Sequence, residues 1–488
     1  MEQSVTKKMA KNVSWLFVGN ALSGGLKFAL IVYVARALGV AAFGLWQFAQ
    51  AFLIYLMLLV DIGFSVLGTR EIAKQKDKAA AISTNMFIAR LIVCSVIFVL
   101  SLFVLYFIPI LSQVRWLFIF TFLFLFYRAL NADWVFQGLE KMEYISLTRI
   151  LFSALSFALI VYFVRGPQDL LRVPLLQASL GIGISVIILF FLYRNILSVR
   201  MGGFVPHHAW RYFLQAIPLC GSVFMMQINN NMDSIMLGFI KGASIVGYYT
   251  AAYRIFFIYA GLSSLLTATA LPIISRRISE DRLKTETFLD KYVRLTMWFL
   301  FPLTVLGFIA APITVNLLFG AEYGASIIAL WVLVWALFPF AIANIYGGLI
   351  LIGAGHFKKF FLSVFAGAAL NIILNIILIP PFSYVGAAVA TITAQTVTAM
   401  LAFYLSKQAV HISLIKHMVR PLLVSLVAVV FASIVYLFPF TASVFSRQII
   451  SCFVFALACA IFIFIAEREF LFMFINEIIG IKKNVEAV

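Results

Sequence analysis

A small set of ionisable side chains lies within segments of the chain that are otherwise apolar. Its basic members are Lys27, Arg90, Arg128, Arg149, Arg254 and Arg294, and its acidic members are Asp61, Asp133 and Asp233. A charge at the centre of a bilayer costs about 2.5 to 3.5 kcal/mol on insertion scales, so surplus cations there need water or an anionic partner. Guanidinium groups are always charged and offer paired donors, so a phosphate or pyrophosphate is the expected ligand.

This pattern predicts a binding site and candidate ion-coupling groups. The residues expected to bind an anionic headgroup are Lys27, Arg90, Arg128, Arg149 and Arg254. The carboxylates that could carry a coupling ion are Asp61, Asp133 and Asp233. Intramembrane charges also pair with one another, so a Lys27–Asp61 pair and an Asp233–Arg254 pair are alternative, purely structural interpretations. Arg90 lies near one end of its segment and could instead extend toward the membrane surface.

Arg128 and Asp133 belong to one predicted helix but do not face each other. Five residues correspond to about 140° around a helix, so they cannot pair comfortably within it. We therefore expect each of them to find its partner on another helix.

The elements that must position these side chains are membrane-spanning helices. The chain has 488 residues, of which 64% are hydrophobic and 11% charged, and its mean hydropathy is +1.08. A helix needs about 20 mostly apolar residues to cross a bilayer. Hydropathy predicts about fourteen such helices, at 13–38, 43–68, 82–108, 115–138, 143–166, 172–194, 211–240, 246–271, 289–311, 325–353, 360–380, 384–406, 418–438 and 447–466.

An internal repeat predicts how these helices are arranged. The segment from Gly39 to Trp46 aligns with the segment from Gly242 to Tyr249, so that Gly44 corresponds to Gly247. We expect an all-α polytopic membrane protein with two six-helix lobes around a central cavity and two additional C-terminal helices. The predicted divisions are an N-terminal lobe at 1–200, a C-terminal lobe at 201–410, and the last two helices with a cytoplasmic tail at 411–488.

The net charge of +18 indicates orientation rather than a nucleic-acid partner. Most Lys and Arg residues lie in the turns expected on the side of the N-terminus, which predicts that both termini are cytoplasmic. These charges are dispersed along short turns and do not form one basic face, so nucleic-acid binding is not expected.

The sequence also argues against an enzyme and against a metal site. Cys94, Cys220, Cys452 and Cys459 lie in or beside apolar segments with no ligand spacing, so we expect free thiols and no metal. The chain has no phosphate-binding loop motif and no nucleophile with a matching base. We expect no catalytic residues and no cofactor.

At this point the chain resembles a known family. Its segments Val34–Gly39 and Phe43–Trp46, the turn at Asp61–Gly63 with Arg70 and Glu71, and the stretch from Asp233 to Arg254 are similar to the polysaccharide flippases of the multidrug and oligosaccharidyl-lipid exporter superfamily. The resemblance covers nearly the whole chain. It implies two lobes around a central cavity, no ATP hydrolysis, and a location in the bacterial inner membrane.

The resemblance implies the transfer of undecaprenyl-pyrophosphate-linked repeat units of O-antigen, capsule or exopolysaccharide from the cytoplasmic to the periplasmic leaflet. Coupling to H⁺ or Na⁺, and association with a polysaccharide polymerase and a chain-length regulator, would accompany that role. A peptidoglycan-precursor flippase and a multidrug antiporter of the same superfamily are alternatives. A membrane polymerase or glycosyltransferase is a further one, although such an enzyme needs a sizeable extramembrane loop.

Overall fold

The computed structural model describes residues 2–197, 206–280, 282–407, 410, 414–437 and 444–479, and these residues form helices and turns without a β-strand. The first helices are α1 (Glu2–Asp61), α2 (Phe64–Lys74), α3 (Ala79–Phe107), α4 (Arg115–Phe122), α5 (Phe124–Leu130), α6 (Asp133–Gly138), α7 (Met142–Phe163) and α8 (Arg172–Phe191). They are followed by α9 (Pro206–Lys241), α10 (Ala243–Glu280), α11 (Arg282–Leu318), α12 (Ser326–Leu333), α13 (Leu337–Ala343), α14 (Phe357–Ser406), α15 (Leu414–Leu437) and α16 (Val444–Ile479).

The described residues contain ten helical segments that are long and apolar enough to cross a membrane. Two of them, residues 11–74 and 357–406, are long enough to cross twice. Each bends where the backbone leaves helical geometry, at Gly39 and at Ser383. The prediction of an all-helical polytopic protein is therefore confirmed. The count of fourteen stays a prediction, because it requires α9 and α10 to cross as well.

The chain forms two compact units, Met1–Thr250 and Ala251–Val488. In the first unit α1 packs against α7 and α9, α2 against α6, and α5 against α8. In the second unit α11 packs against α15 and α16, and α14 packs against α13. The predicted division into lobes at residue 200 stays a prediction, and residues 480–488 of the predicted tail lie outside the described residues.

The two copies of the internal repeat pack against each other within the first unit. Gly39 and Gly242 occupy equivalent places and both have positive φ, 72° and 87°, so each copy turns at its first glycine. A Cβ at Gly44 would lie 1.9 Å from the carbonyl oxygen of Ala243, and a Cβ at Gly247 would lie 2.4 Å from that of Val40. In the alignment Gly44 corresponds to Gly247, and Val40 corresponds to Ala243. The glycine of each copy therefore packs against the equivalent carbonyl oxygen of the other copy. The two copies of the sequence repeat thus form a packing contact, and this contact requires glycine at both positions.

We expect Gly44→Ala to lower the melting temperature of the purified protein, because the added methyl group cannot fit without moving backbone. Overpacking of this kind costs about 1 to 3 kcal/mol. Gly183→Ala in α8 is the matched control, since its Cβ would meet nothing within 4 Å. Replacing a compatible glycine by alanine stabilises by about 0.4 to 1 kcal/mol, so this control should melt at or above the wild-type temperature. Equal melting of Gly44→Ala and wild type would contradict the close packing.

Candidate functional site

Asp61 joins three elements of the first unit at the point where α1 ends. The chain turns there through Ile62 and Gly63, both with positive φ. An Nη2 atom of Arg128 lies 2.9 Å from Asp61 Oδ2, and Nη2 of Arg90 lies 3.3 Å from Oδ1. Ser65, in the first turn of α2, donates its hydroxyl to Oδ1 at 2.6 Å. One carboxylate therefore holds two guanidinium groups from α3 and α5.

Arg90 also supports a break in the backbone. The predicted span 115–138 corresponds to one apolar segment, residues 111–138. Its helix is interrupted at residues 131 and 132, because α5 ends at Leu130 and α6 begins at Asp133. Arg90 donates from Nη2 to the carbonyl oxygen of Arg128 at 2.6 Å and from Nη1 to that of Asn131 at 3.3 Å. Backbone carbonyls exposed by a break at membrane depth need such donors. Arg90 is 0% exposed, so its contacts here are structural.

A second ion pair lies on the other side of this break. Asp133 Oδ2 accepts hydrogen bonds from Nε and Nη2 of Arg149 at 3.0 and 2.8 Å. Arg149 donates a third, from Nη1 to Asn20 Oδ1 on α1, at 2.8 Å. The backbone N–H of Asp133 donates to the Asn131 side chain at 3.2 Å. The prediction that Arg128 and Asp133 find separate partners on other helices is confirmed.

Lys27 extends the cationic surface beside the second pair. Its side chain is exposed, and it lies within electrostatic range of Arg149 and Asp133. The alternative Lys27–Asp61 pair does not form, because Asp61 binds Arg90 and Arg128 instead. With ordinary ionisation, this group of four cations and two carboxylates carries an excess of two positive charges. We call the residues Lys27, Asp61, Arg90, Arg128, Asp133 and Arg149 the cationic cluster.

The cations of the cluster differ in how much of the side chain is accessible. Arg128 and Arg149 expose 31% and 37% of their side chains, whereas Arg90 exposes none. Of the four cations, only Lys27, Arg128 and Arg149 could therefore contact a ligand in this conformation. Among the described residues, no group of three or more His, Cys, Asp or Glu side chains is arranged to hold a metal ion.

The remaining predicted site residues lie outside this cluster. Asp233 is buried and accepts a hydrogen bond from the Tyr249 hydroxyl at 2.5 Å. Arg254, partly buried on α10, belongs to the second compact unit. The proposed Asp233–Arg254 pair and the roles of both residues stay predictions.

The sequence did not indicate a polar contact that anchors the C-terminal helices in the second unit. Arg294 on α11 pairs with the buried Glu467 of α16, and Trp298 donates its indole N–H to the same carboxylate at 2.8 Å. His417 on α15 lies 2.7 Å from Asp290. Glu467 comes directly after the last predicted span, 447–466. An acidic residue within the apolar sequence of α16 was the signal that could have revealed this contact. Both contacts join α11 to the last two helices.

Comparisons with known proteins agree on family and fold. The family described as "Polysaccharide biosynthesis protein" matches residues 9–278. The chain is 25% identical over 403 residues to the "Putative O-antigen transporter" of Escherichia coli (strain K12), covering 80% of this chain and 95% of that protein. It is 22% identical over 402 residues to the capsular polysaccharide biosynthesis protein CapF of Staphylococcus aureus, covering 81% and 98%.

A solved structure of the lipid II flippase MurJ, in an inward closed conformation, has the same fold. It superposes with a TM-score of 0.73 at 16% identity and covers 95% of this chain and 100% of MurJ. The family match spans more than half of the chain and includes every residue of the cationic cluster. The chain is thus a multi-pass membrane protein that belongs to the polysaccharide biosynthesis protein family.

Proposed function

We propose that this protein moves an undecaprenyl-pyrophosphate-linked oligosaccharide from the cytoplasmic to the periplasmic leaflet of a bacterial inner membrane by alternating access. The observation that carries the proposal is the excess positive charge on partly exposed arginines within apolar spans of a family member. A surplus of cations within apolar spans needs an anion, and a pyrophosphate attached to a lipid is an anion that enters from the membrane. The names of the relatives, which refer to O-antigen and capsule, favour a saccharide as the cargo.

Arg128 and Arg149 are the proposed ligands of the pyrophosphate, and Lys27 adds charge beside them. In this structure each arginine is neutralised by a carboxylate, Arg128 by Asp61 and Arg149 by Asp133. Pyrophosphate would take over one or both arginines, because a guanidinium forms paired, charge-assisted hydrogen bonds with phosphate oxygens. The carboxylates would compete again when the cargo leaves, which lets the site release an otherwise tightly held anion.

The carboxylates freed by that exchange are the proposed sites of ion coupling. Asp133, once separated from Arg149 by the pyrophosphate, would be a partly buried anion and would bind H⁺ or Na⁺. Asp61 is a second candidate, although it would keep Arg90 as a partner. Asp233 is a further candidate, and Arg254 a further cation. Arg90 is proposed as a positioning residue that holds Asp61 and the backbone of Arg128 in place. Both termini would be cytoplasmic, and a polymerase and chain-length regulator would act on the delivered repeat units.

Two other cargoes fit the fold. A peptidoglycan precursor is also a polyprenyl pyrophosphate, so the cationic cluster does not distinguish it from a surface-polysaccharide unit. A multidrug exporter handles cationic drugs, for which an excess of positive charge is unfavourable. A polymerase or glycosyltransferase would need a catalytic group, and we propose that this protein has none.

Deletion of the gene in its own host tests the proposal. We expect loss of surface polysaccharide together with accumulation of lipid-linked oligosaccharide on the cytoplasmic side, both restored by the wild-type gene. Cell lysis on depletion would assign a peptidoglycan precursor instead. Intact polysaccharide with greater sensitivity to cationic drugs would contradict the proposal in favour of drug export.

A further inference from the structure

An apolar groove lies in the first unit beside the cationic cluster. It has a volume of about 240 Å³ and is formed by the second half of α1, the C-terminal half of α3, and α4. Representative lining residues are Leu59, Ile97, Leu100, Val104, Phe118 and Phe122. The single polar side chain of its lining, Ser101, donates its hydroxyl to the carbonyl oxygen of Phe98 in its own helix at 2.7 Å. The groove therefore offers no polar group that requires a ligand, and it suits a hydrocarbon.

The groove is open along one side and large enough for a hydrocarbon chain. Leu100 and Val104 expose 57% and 53% of their surface, and Leu59 exposes 39%. An engineered apolar cavity of about 150 Å³ accepts benzene, so this groove has room for a short branched segment. Trp116 and Tyr106, both largely exposed, lie near the α3–α4 connection. Such residues are enriched at the edge of the bilayer, which indicates that the groove runs inward from that edge.

The groove shares two membrane spans, residues 76–107 and 111–138, with the cationic cluster. At about 100° per residue, Ile97 and Val104 lie within about 40° of Arg90 around α3, so the groove occupies the face of α3 that bears Arg90. Ile97 lies about 10 Å from Arg90 along the helix axis, at about 1.5 Å per residue. Phe122, at the end of α4, lies a similar distance before Arg128. An anion held by Arg128 would therefore lie about 10 Å along its span from the apolar groove.

We propose that this groove binds the polyprenyl chain adjoining the pyrophosphate of the cargo; this inference rests on the proposed function. The cationic cluster and an apolar groove lie on the same two spans, residues 76–107 and 111–138, and this juxtaposition matches a molecule with an anionic group at one end of a branched hydrocarbon. A phospholipid acyl chain would also satisfy the apolar lining, but it gives no reason for the groove to share its two spans with the cationic cluster. The groove would keep the lipid anchored while the saccharide is transferred.

Site-specific photocrosslinking tests this inference in the full-length protein in membranes. The photoreactive residue p-benzoylphenylalanine replaces Leu100 or, as a matched control, Val99. Both side chains are exposed on α3, by 57% and 62%, but only Leu100 lines the groove. The probe is a polyprenyl-pyrophosphoryl oligosaccharide labelled in its sugar. We expect at least fivefold more label at position 100 than at 99, and we expect Arg128→Ala to remove that difference. Equal labelling, or capture of phospholipid alone, would overturn the inference.

Transport by the Leu100→Trp variant separates this inference from the proposed function. Tryptophan at position 100 should fill the groove and slow transfer of the probe into proteoliposomes at least fivefold, while Val99→Trp should not. Wild-type transport by Leu100→Trp alongside loss of transport in Arg128→Ala would refute the groove and leave the proposed function intact. Absence of transfer by the wild-type protein would refute the proposed function itself.

Discussion

Replacement of Arg128 by alanine is expected to abolish polysaccharide export while the protein still reaches the membrane at its normal level. Arg128, like Arg149, is both partly exposed and bonded to a carboxylate. A hydrogen bond to a charged group contributes about 1.5 to 3 kcal/mol, which corresponds to a loss of about 10- to 150-fold for one such contact. Folding should tolerate the change, because Asp61 keeps its contacts with Arg90 and Ser65.

Surface polysaccharide, measured in a deletion strain that carries the variant gene, is the readout. Arg165→Ala is the matched control, since Arg165 is exposed in the turn after α7. Its side chain donates from Nε to the Tyr162 carbonyl oxygen, and the bond to Asp169 comes from its backbone N–H, which alanine keeps. Arg149→Ala should resemble Arg128→Ala, with the added effect of leaving Asp133 without its arginine. Normal polysaccharide in the Arg128→Ala strain would show that this residue does not bind the cargo.

Replacement of Arg90 by alanine should have its largest effect on folding. Arg90 is fully buried, and its loss would remove one partner of Asp61 and the donors to two carbonyl groups at the α5–α6 break. Removing one member of a buried ion pair costs about 3 to 5 kcal/mol. We therefore expect little folded protein in the membrane, measured as the monodisperse fraction after detergent extraction and the melting temperature of what remains.

Arg90→Lys should recover part of that stability. Lysine keeps the charge opposite Asp61, but a single ammonium group does not reproduce the fork that reaches the carboxylate and two carbonyls together. The contrast with Arg128→Ala is informative, because the same type of substitution should there leave the melting temperature nearly unchanged. If Arg90→Ala folds normally and fails only in transport, Arg90 contacts the cargo rather than positioning its neighbours.

The sequence predicts the helices well because their signal is local. Apolar runs of sufficient length end near the observed helix termini, as for the predicted span 82–108 and α3 at Ala79–Phe107. The prediction that Arg128 and Asp133 have partners on other helices is confirmed, although it assumed one continuous helix where the structure has a break between α5 and α6. The repeat that contains Gly44 and Gly247 was also evident from the sequence, although the packing of its two copies against each other was not.

Features that depend on distant contacts could not be predicted in the same way. The break at Asn131 has no glycine or proline to mark it, and Asn131 has an extended ψ of 125°. The break is compatible with a membrane because Arg90, 41 residues away, satisfies the Asn131 carbonyl. The pairing of Asp61 with two arginines rather than Lys27 likewise depends on how α3 and α5 approach the end of α1.

Transfer of a labelled polyprenyl-pyrophosphoryl oligosaccharide across proteoliposomes that contain the purified protein tests the central claim most directly. The wild-type protein and Arg165→Ala should move the label to the opposite leaflet, and a polyprenyl pyrophosphate without sugar should compete. Arg128→Ala should transfer it at least tenfold more slowly at equal protein content. Equal rates for wild type and Arg128→Ala would contradict the claim that the cationic cluster binds the pyrophosphate.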